Sequence, residues 1–328
     1  MKKRLHELDD IRGFSIIVMI MIHTNAYFLS NWWSVTTRDI SQFAVVAFLF
    51  CSTYLSIQKP FPQSFSEFLP YMIKRLKRLV LPFYIFFTVY ILLMKFGIGK
   101  SFPLKFITES YLLIGGIDFN WLVLLFVQLM IITPLLYFFF TKKKALLYLY
   151  VIGALASSII FLKFTPLPYY RSIMWLPWSL VVIYTFYLDE IWKNRKLFFL
   201  TTFLLGALFF GTQQWILLPL KHSFSQYSNK YPPNLYHISY SLFALNILYY
   251  LSKIHTFSQP IIQKTIHFFS INSYTLFFIH ILVIEVVWKW ARPQNWIVFF
   301  LIVTMISVAI QFVMNLINER MKPTVSQH

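Results

Sequence analysis

Arg12 and His23 are eleven residues apart in an apolar run that begins Leu8-Asp9-Asp10-Ile11-Arg12-Gly13 and reaches Ile20-Met21-Ile22-His23. In a helix, eleven residues at about 100° each make three turns plus about 20°. Both side chains therefore share one face, roughly 16 Å apart along the axis. Histidine is the side chain best suited to moving protons near neutral pH, and it can take one from a hydroxyl. An ionisable group in the middle of an apolar span is costly and points to function. A histidine bonded to a neighbouring helix for packing is the alternative that the residues leave open. Asp9, three residues before Arg12, is spaced to pair with it and hold its orientation.

Three further groups have the residue types for chemistry. Lys74-Arg75-Leu76-Lys77-Arg78 precedes an apolar span, and Arg75 and Arg78, three apart, share a face and could grip phosphates; an ordinary basic anchor is the competing reading. His280 lies about as deep in a later span as His23 does in the first, so the two could line one cavity, or His280 could brace a helix contact. Glu285, further along, needs a partner, and Lys289 has the favourable four-residue spacing. Trp32, Trp33, Trp175, Trp178, Tyr231, Tyr236 and His237 gather near the ends of spans, where they could stack on sugar rings or simply form an interfacial belt. Glu109 and Asp118, either side of Gly115-Gly116 and just before Trp121, are the acidic residues placed to meet an outer acceptor. The chain has no phosphate-cradling glycine loop, no GxSxG elbow and no His-x-x-x-His pair.

The elements that must carry these residues are membrane helices. Of 328 residues, 58% are hydrophobic and only 12% charged, half the usual charged share of a soluble domain, about 25%. Ten apolar spans of about 17–22 residues can be drawn, near 13–29, 41–57, 79–97, 119–140, 145–162, 173–189, 197–217, 235–252, 268–289 and 296–317, each long enough to cross about 30 Å of hydrocarbon. The expected fold is therefore all-α, a single polytopic membrane domain over 1–328 with both termini on one side. The positive-inside rule makes that side cytosolic. The inner set holds 19 of the 29 basic residues, among them Lys2, Lys3, Arg4, the Lys74–Arg78 cluster, Lys142-Lys143-Lys144 and Lys322. Pro166 and Pro168 fall in an outer loop.

The net charge of +18 flanks hydrophobic spans, so it implies anionic lipid head groups and not nucleic acid. The single cysteine, Cys51, excludes an internal disulfide and a cysteine metal site, and no metal is expected. The first apolar stretch lacks a small-residue cleavage site and reads as a retained helix. No attached soluble domain is expected after the last span.

These residues resemble the acyltransferase 3 family of membrane-bound O-acyltransferases. An arginine, ten residues and a histidine (Arg12, His23) form its first motif; two arginines separated by two residues on the cytosolic side (Arg75, Arg78) form its second. Ser270-Ile271-Asn272-Ser273-Tyr274-Thr275-Leu276-Phe277-Phe278-Ile279-His280 is similar to its C-terminal Ser-x-x-Ser-x-x-(x)-Tyr-Leu-x-His run, and Trp121-Leu122 with Pro134 to its fourth span. Asp10 replaces a usual glycine, Thr53 stands in the family's Ser-Gly-Phe/Tyr segment, and Phe277-Phe278 replaces Tyr-Leu.

The resemblance implies an acyl-CoA donor, usually acetyl-CoA, bound from the cytosol, and an acceptor hydroxyl on a cell-envelope glycan outside a bacterial plasma membrane. It assigns Arg75 and Arg78, with Lys74, to the phosphates of coenzyme A. His23, Arg12 and His280, with Asp9, become the catalytic group, and Glu109, Asp118, Trp121 and His237 the acceptor side. A separate extracytoplasmic transferase could receive the acyl group in a relay. A flippase for a glycan or lipid-linked precursor, with no covalent chemistry, is the rival reading, and a structural subunit of a polysaccharide synthase a third.

Overall fold

The computed structural model describes residues 6–62, 64–164 and 169–321. Lys2, Lys3, Arg4 and Lys322 of the inner basic set, and Pro166 and Pro168, lie outside the described residues. In chain order the helices are α1 His6–Asn25, α2 Trp32–Ile40, α3 Ala44–Ile57, α4 Phe65–Leu92, α5 Leu104–Tyr111, α6 Asn120–Lys142, α7 Lys144–Lys163, α8 Tyr170–Ile173, α9 Trp175–Lys193, α10 Arg195–Thr212, α11 Leu235–Lys253, α12 Pro260–Ile271, α13 Ser273–Trp290 and α14 Trp296–Arg320. Among the described residues there is no β-strand.

Among the described residues, eight segments are long and apolar enough to cross a membrane: Trp32–Ile57, Ser66–Ile98, Asn120–Lys142, Lys144–Lys163, Tyr170–Lys193, Arg195–Leu217, Ser273–Trp290 and Trp296–Arg320. This is the architecture of a polytopic membrane protein. Two of the ten expected spans fall on helices of a different character. Every long window of α1 keeps Asp9, Asp10 and Arg12, and α11 is interrupted by His237, Ser239, Ser241 and Asn246. α11 buries all four of its polar groups and α1 buries Asp10, with Asp9 and Arg12 part-buried; against protein is where a membrane helix can carry them. The span expected at 268–289 is also divided. Asn272 ends α12 and precedes α13, its side-chain amide donating to the Phe268 carbonyl at 2.8 Å.

The helices form two compact units, each discontinuous in sequence: residues 1–41, 92–100 and 257–328 in the first, 42–91 and 101–256 in the second. In the first, α1 packs on α12, α13 and α14. Side-chain pairs run in step along α1 and the α12–α13 stretch: Arg12 with Ser270, His23 with His280, Tyr27 with Trp288. The two are therefore parallel. α14 returns antiparallel, pairing Thr275 with Gln311 at 2.6 Å near one end and Trp288 with Phe299 at 5.6 Å near the other. Gly13 allows the close crossing of α1 over α12, because a Cβ there would lie 2.2 Å from the Ile266 carbonyl oxygen.

In the second unit α9 is central, packing on α3, α6, α7, α10 and α11. Trp178, Val181, Val182 and Leu188 of α9 are fully buried. Polar groups within these apolar helices hydrogen-bond across to neighbours, as the absence of water requires: Tyr184 to Asn246 at 2.6 Å, Asn246 to Thr202 at 2.9 Å, Tyr150 to Ser179 at 2.8 Å and Tyr54 to Asp189 at 2.7 Å. Leu149 and Ile152 of α7, Phe203 of α10 and, in the first unit, Met305 and Phe312 of α14 are exposed. Such continuous apolar faces fit contact with lipid.

Candidate active site

The first unit brings together the motif residues of α1 and those of α12 and α13. At the N-terminal end of α1, Arg12 donates through Nε to Ser270 Oγ at 3.0 Å and through Nη2 to Asp9 Oδ1 at 3.4 Å. Ser270 Oγ donates in turn to the same Asp9 oxygen at 2.8 Å, and His267 Nδ1 stands 3.9 Å from the other carboxylate oxygen. Asp9 thus joins α1 to α12, and the expected Asp9–Arg12 pair is present. A cavity of about 240 Å³ opens beside it, lined by His6, Asp9, Asp10, Gln263, Lys264 and His267.

Three turns further along α1, His23 Nδ1 and His280 Nε2 are 2.7 Å apart, with the rings 9° from parallel. His280 Nδ1 is 2.8 Å from the Leu276 carbonyl oxygen. That oxygen can only accept, so His280 Nδ1 carries a hydrogen, and in the neutral ring Nε2 is then the acceptor. His23 Nδ1 must therefore donate to it, which makes Nε2 the unprotonated nitrogen of His23. His280 is fully buried and His23 half-buried, with Phe277 against both rings. The pair is thus a buried orienting histidine behind a more accessible one whose tautomer favours proton uptake. One turn beyond His23, the Tyr27 ring lies against Trp288, tilted, with centroids 4.6 Å apart, and is within electrostatic reach of Glu285, while Lys289 is exposed.

The remaining expected residues lie in the second unit. Arg75 donates to the buried Ser56 hydroxyl at 2.9 Å, and its guanidinium lies 4.7 Å from the centre of the Tyr71 ring. Arg78 and Lys74 are exposed on α4, Arg78 one turn from Arg75. Trp121 and His237 belong to one buried cluster. Trp178 stands 6.4 Å from Trp121 and 5.7 Å from His237. His237 pairs with Gln226 at 3.1 Å, and Lys230, itself buried, donates to Gln42 at 2.6 Å among the rings of Trp121, Tyr227 and Tyr231. Glu109 pairs with Lys105 at 3.8 Å and Asp118 is exposed. The segment that holds them is tied instead through Asn120, which donates to the Ser110 and Gly115 carbonyls at 3.2 and 2.7 Å and accepts from Arg171.

Ser270, His267, Gly13, Gln226 and Lys230 were not singled out as site residues by sequence reasoning. Ser270 had a visible signal, since it opens the C-terminal motif, but nothing in the local pattern says that it faces Asp9. Among the described residues, no group of three or more His, Cys, Asp or Glu side chains is arranged to hold a metal ion.

Comparison with protein families gives one match, to a family whose model is described as an acyltransferase domain, over residues 5–316, nearly the whole chain. Comparison with curated proteins and with solved structures gives no significant match.

Proposed function

The chain belongs to the acyltransferase 3 family, and from that premise we propose that it moves an acetyl group from cytosolic acetyl-CoA to a hydroxyl of an extracytoplasmic glycan or glycolipid at a bacterial plasma membrane. The observation that carries this reading is the hydrogen-bonded chain from the Leu276 carbonyl through His280 to His23. Acyl transfer to an alcohol needs a base at the attacking oxygen. His23 Nε2, held unprotonated by this chain, has that role.

In the proposed step the acceptor oxygen attacks the thioester carbonyl while its proton passes to His23 Nε2. The tetrahedral intermediate collapses, the C–S bond breaks, and the departing thiolate takes the proton back from His23. The products are the acetyl ester and CoA–SH. His280 stabilises the imidazolium through the Nδ1–H bond and keeps the ring from turning. Arg12 orients the donor and balances its negative charge, with Asp9 steadying the guanidinium. Arg75, Arg78 and Lys74 take the phosphates of coenzyme A. On the acceptor side, Glu109 and Asp118 are assigned to sugar hydroxyls. Trp121 and His237 are assigned to support of that region, in keeping with their burial.

The test is acetyl transfer by purified protein in lipid vesicles with radiolabelled acetyl-CoA. We expect wild type to release CoA, His23→Ala to lose about 10²–10⁴-fold in rate with donor binding intact, and Arg75→Ala/Arg78→Ala to lose donor binding. Folded wild-type protein that neither binds nor turns over acetyl-CoA overturns the reading in favour of a transporter.

A further inference from the structure

We propose that Ser270 is a positioning residue for Arg12, setting where the guanidinium meets the acyl donor. This rests on the donor-orienting role given to Arg12 above.

The hydroxyl of Ser270 does two things at once. It accepts from Arg12 Nε at 3.0 Å and sends its own hydrogen to Asp9 Oδ1 at 2.8 Å. Since Asp9 Oδ1 also receives Arg12 Nη2 at 3.4 Å, the three side chains close a ring in which each holds the other two. Asp9 and Arg12 alone are a residue pair on one helix, with an N···O separation too long for a strong charge-assisted bond. Such a pair leaves a long arginine side chain much of its rotamer freedom. The serine removes that freedom by fixing the Nε edge from a second helix.

Two of the five guanidinium N–H groups are then committed to protein partners, and the rest of the planar fork is presented in a set direction. Ser270 is fully buried although it faces a charged pair. An alanine there would leave Arg12 Nε and Asp9 Oδ1 each short of one protein partner. The close α1–α12 crossing at Gly13 holds the serine within reach.

The experiment compares wild type, Ser270→Ala, Ser270→Thr, Arg12→Lys and Ser270→Ala/Arg12→Lys, in vesicles, for equilibrium binding of radiolabelled acetyl-CoA and for CoA release at saturating donor. We expect Ser270→Ala to weaken donor binding about tenfold, roughly 1.4 kcal/mol, with the saturated rate within about twofold of wild type. Ser270→Thr, which keeps the hydroxyl, should restore binding. The double variant should bind no more weakly than Arg12→Lys alone, since the serine acts only through the arginine. Wild-type binding in Ser270→Ala, or additive losses in the double variant, overturns the positioning role and leaves the acyltransferase reading standing. Failure of wild type to bind acetyl-CoA overturns both. A folded Ser270→Thr that binds as poorly as Ser270→Ala also overturns it.

Discussion

His23 and His280 show how much a tautomer depends on one carbonyl. Because the Leu276 oxygen accepts from His280 Nδ1, each ring nitrogen in the pair has an assigned role. Removing His280 leaves His23 Nδ1 without the acceptor that orients it. We expect His280→Ala to slow acetyl transfer by about 10²-fold, in line with the cost of misplacing a reacting group by about an ångström. The loss should be smaller than that of His23→Ala, and donor binding should be unchanged. A His280→Ala protein as fast as wild type would show that the buried histidine only packs. Had the ring been reversed, with Nδ1 toward His23, the carbonyl would orient nothing, so the direction of the bond carries the argument and not the proximity alone.

Among the elements, the crossing of α1 on α12 is the one on which the site depends most. Gly13 has no room for a side chain: the obstacle is a backbone carbonyl that cannot rotate away. Gly13→Ala should push the helices apart, destabilise the protein by about 1–3 kcal/mol and weaken acetyl-CoA binding by separating Ser270 from Arg12. Gly153 is the control. A Cβ there meets nothing within 4 Å, so Gly153→Ala should stay within about 1 kcal/mol of wild type. Thermal unfolding in detergent and donor binding measure both. Equal effects of the two substitutions would mean that the crossing is not the sensitive contact. The interruption at Asn272 matters in the same way. It ends α12 soon after Ser270 and lets α13 set out afresh toward His280, with Asn315 of α14 donating to the Asn272 side chain at 3.3 Å.

Over the whole molecule, the apolar faces of α7, α10 and α14 and the eight membrane-length segments among the described residues fit a multi-pass membrane protein. Cys51, 1% exposed on α3, gives a readout of that packing. A thiol reagent should label it only after denaturation, and every variant above can be checked for folding by the same protection. Rapid labelling of the native protein would place Cys51 on an accessible surface instead. If both termini are cytosolic, as the positive-inside rule expects, a cysteine introduced at Ser326 in a Cys51→Ala background should be shielded from an impermeant thiol reagent in intact cells and labelled in inverted vesicles. The opposite pattern would invert the donor and acceptor sides.

Composition and periodicity suffice to show a polytopic helical protein and to put Arg12 and His23 on one face of one helix, because hydrophobic spacing reports which sides of an element must avoid water. They leave the number of spans open where polar residues interrupt a helix, as in α1 and α11, since hydropathy cannot tell a buried polar group from an exposed one. They also run together α12 and α13, which part at Asn272 inside the single span drawn at 268–289. The partners are the larger gap. Arg12 meets Ser270 across 258 residues and His23 meets His280 across 257. No local pattern encodes which helix covers which. Counting from span ends gives the two histidines similar depth, but depth does not specify neighbours. That was decided by close packing, at Gly13 above all, where the missing side chain admits another helix and with it the serine that completes the arginine's surroundings.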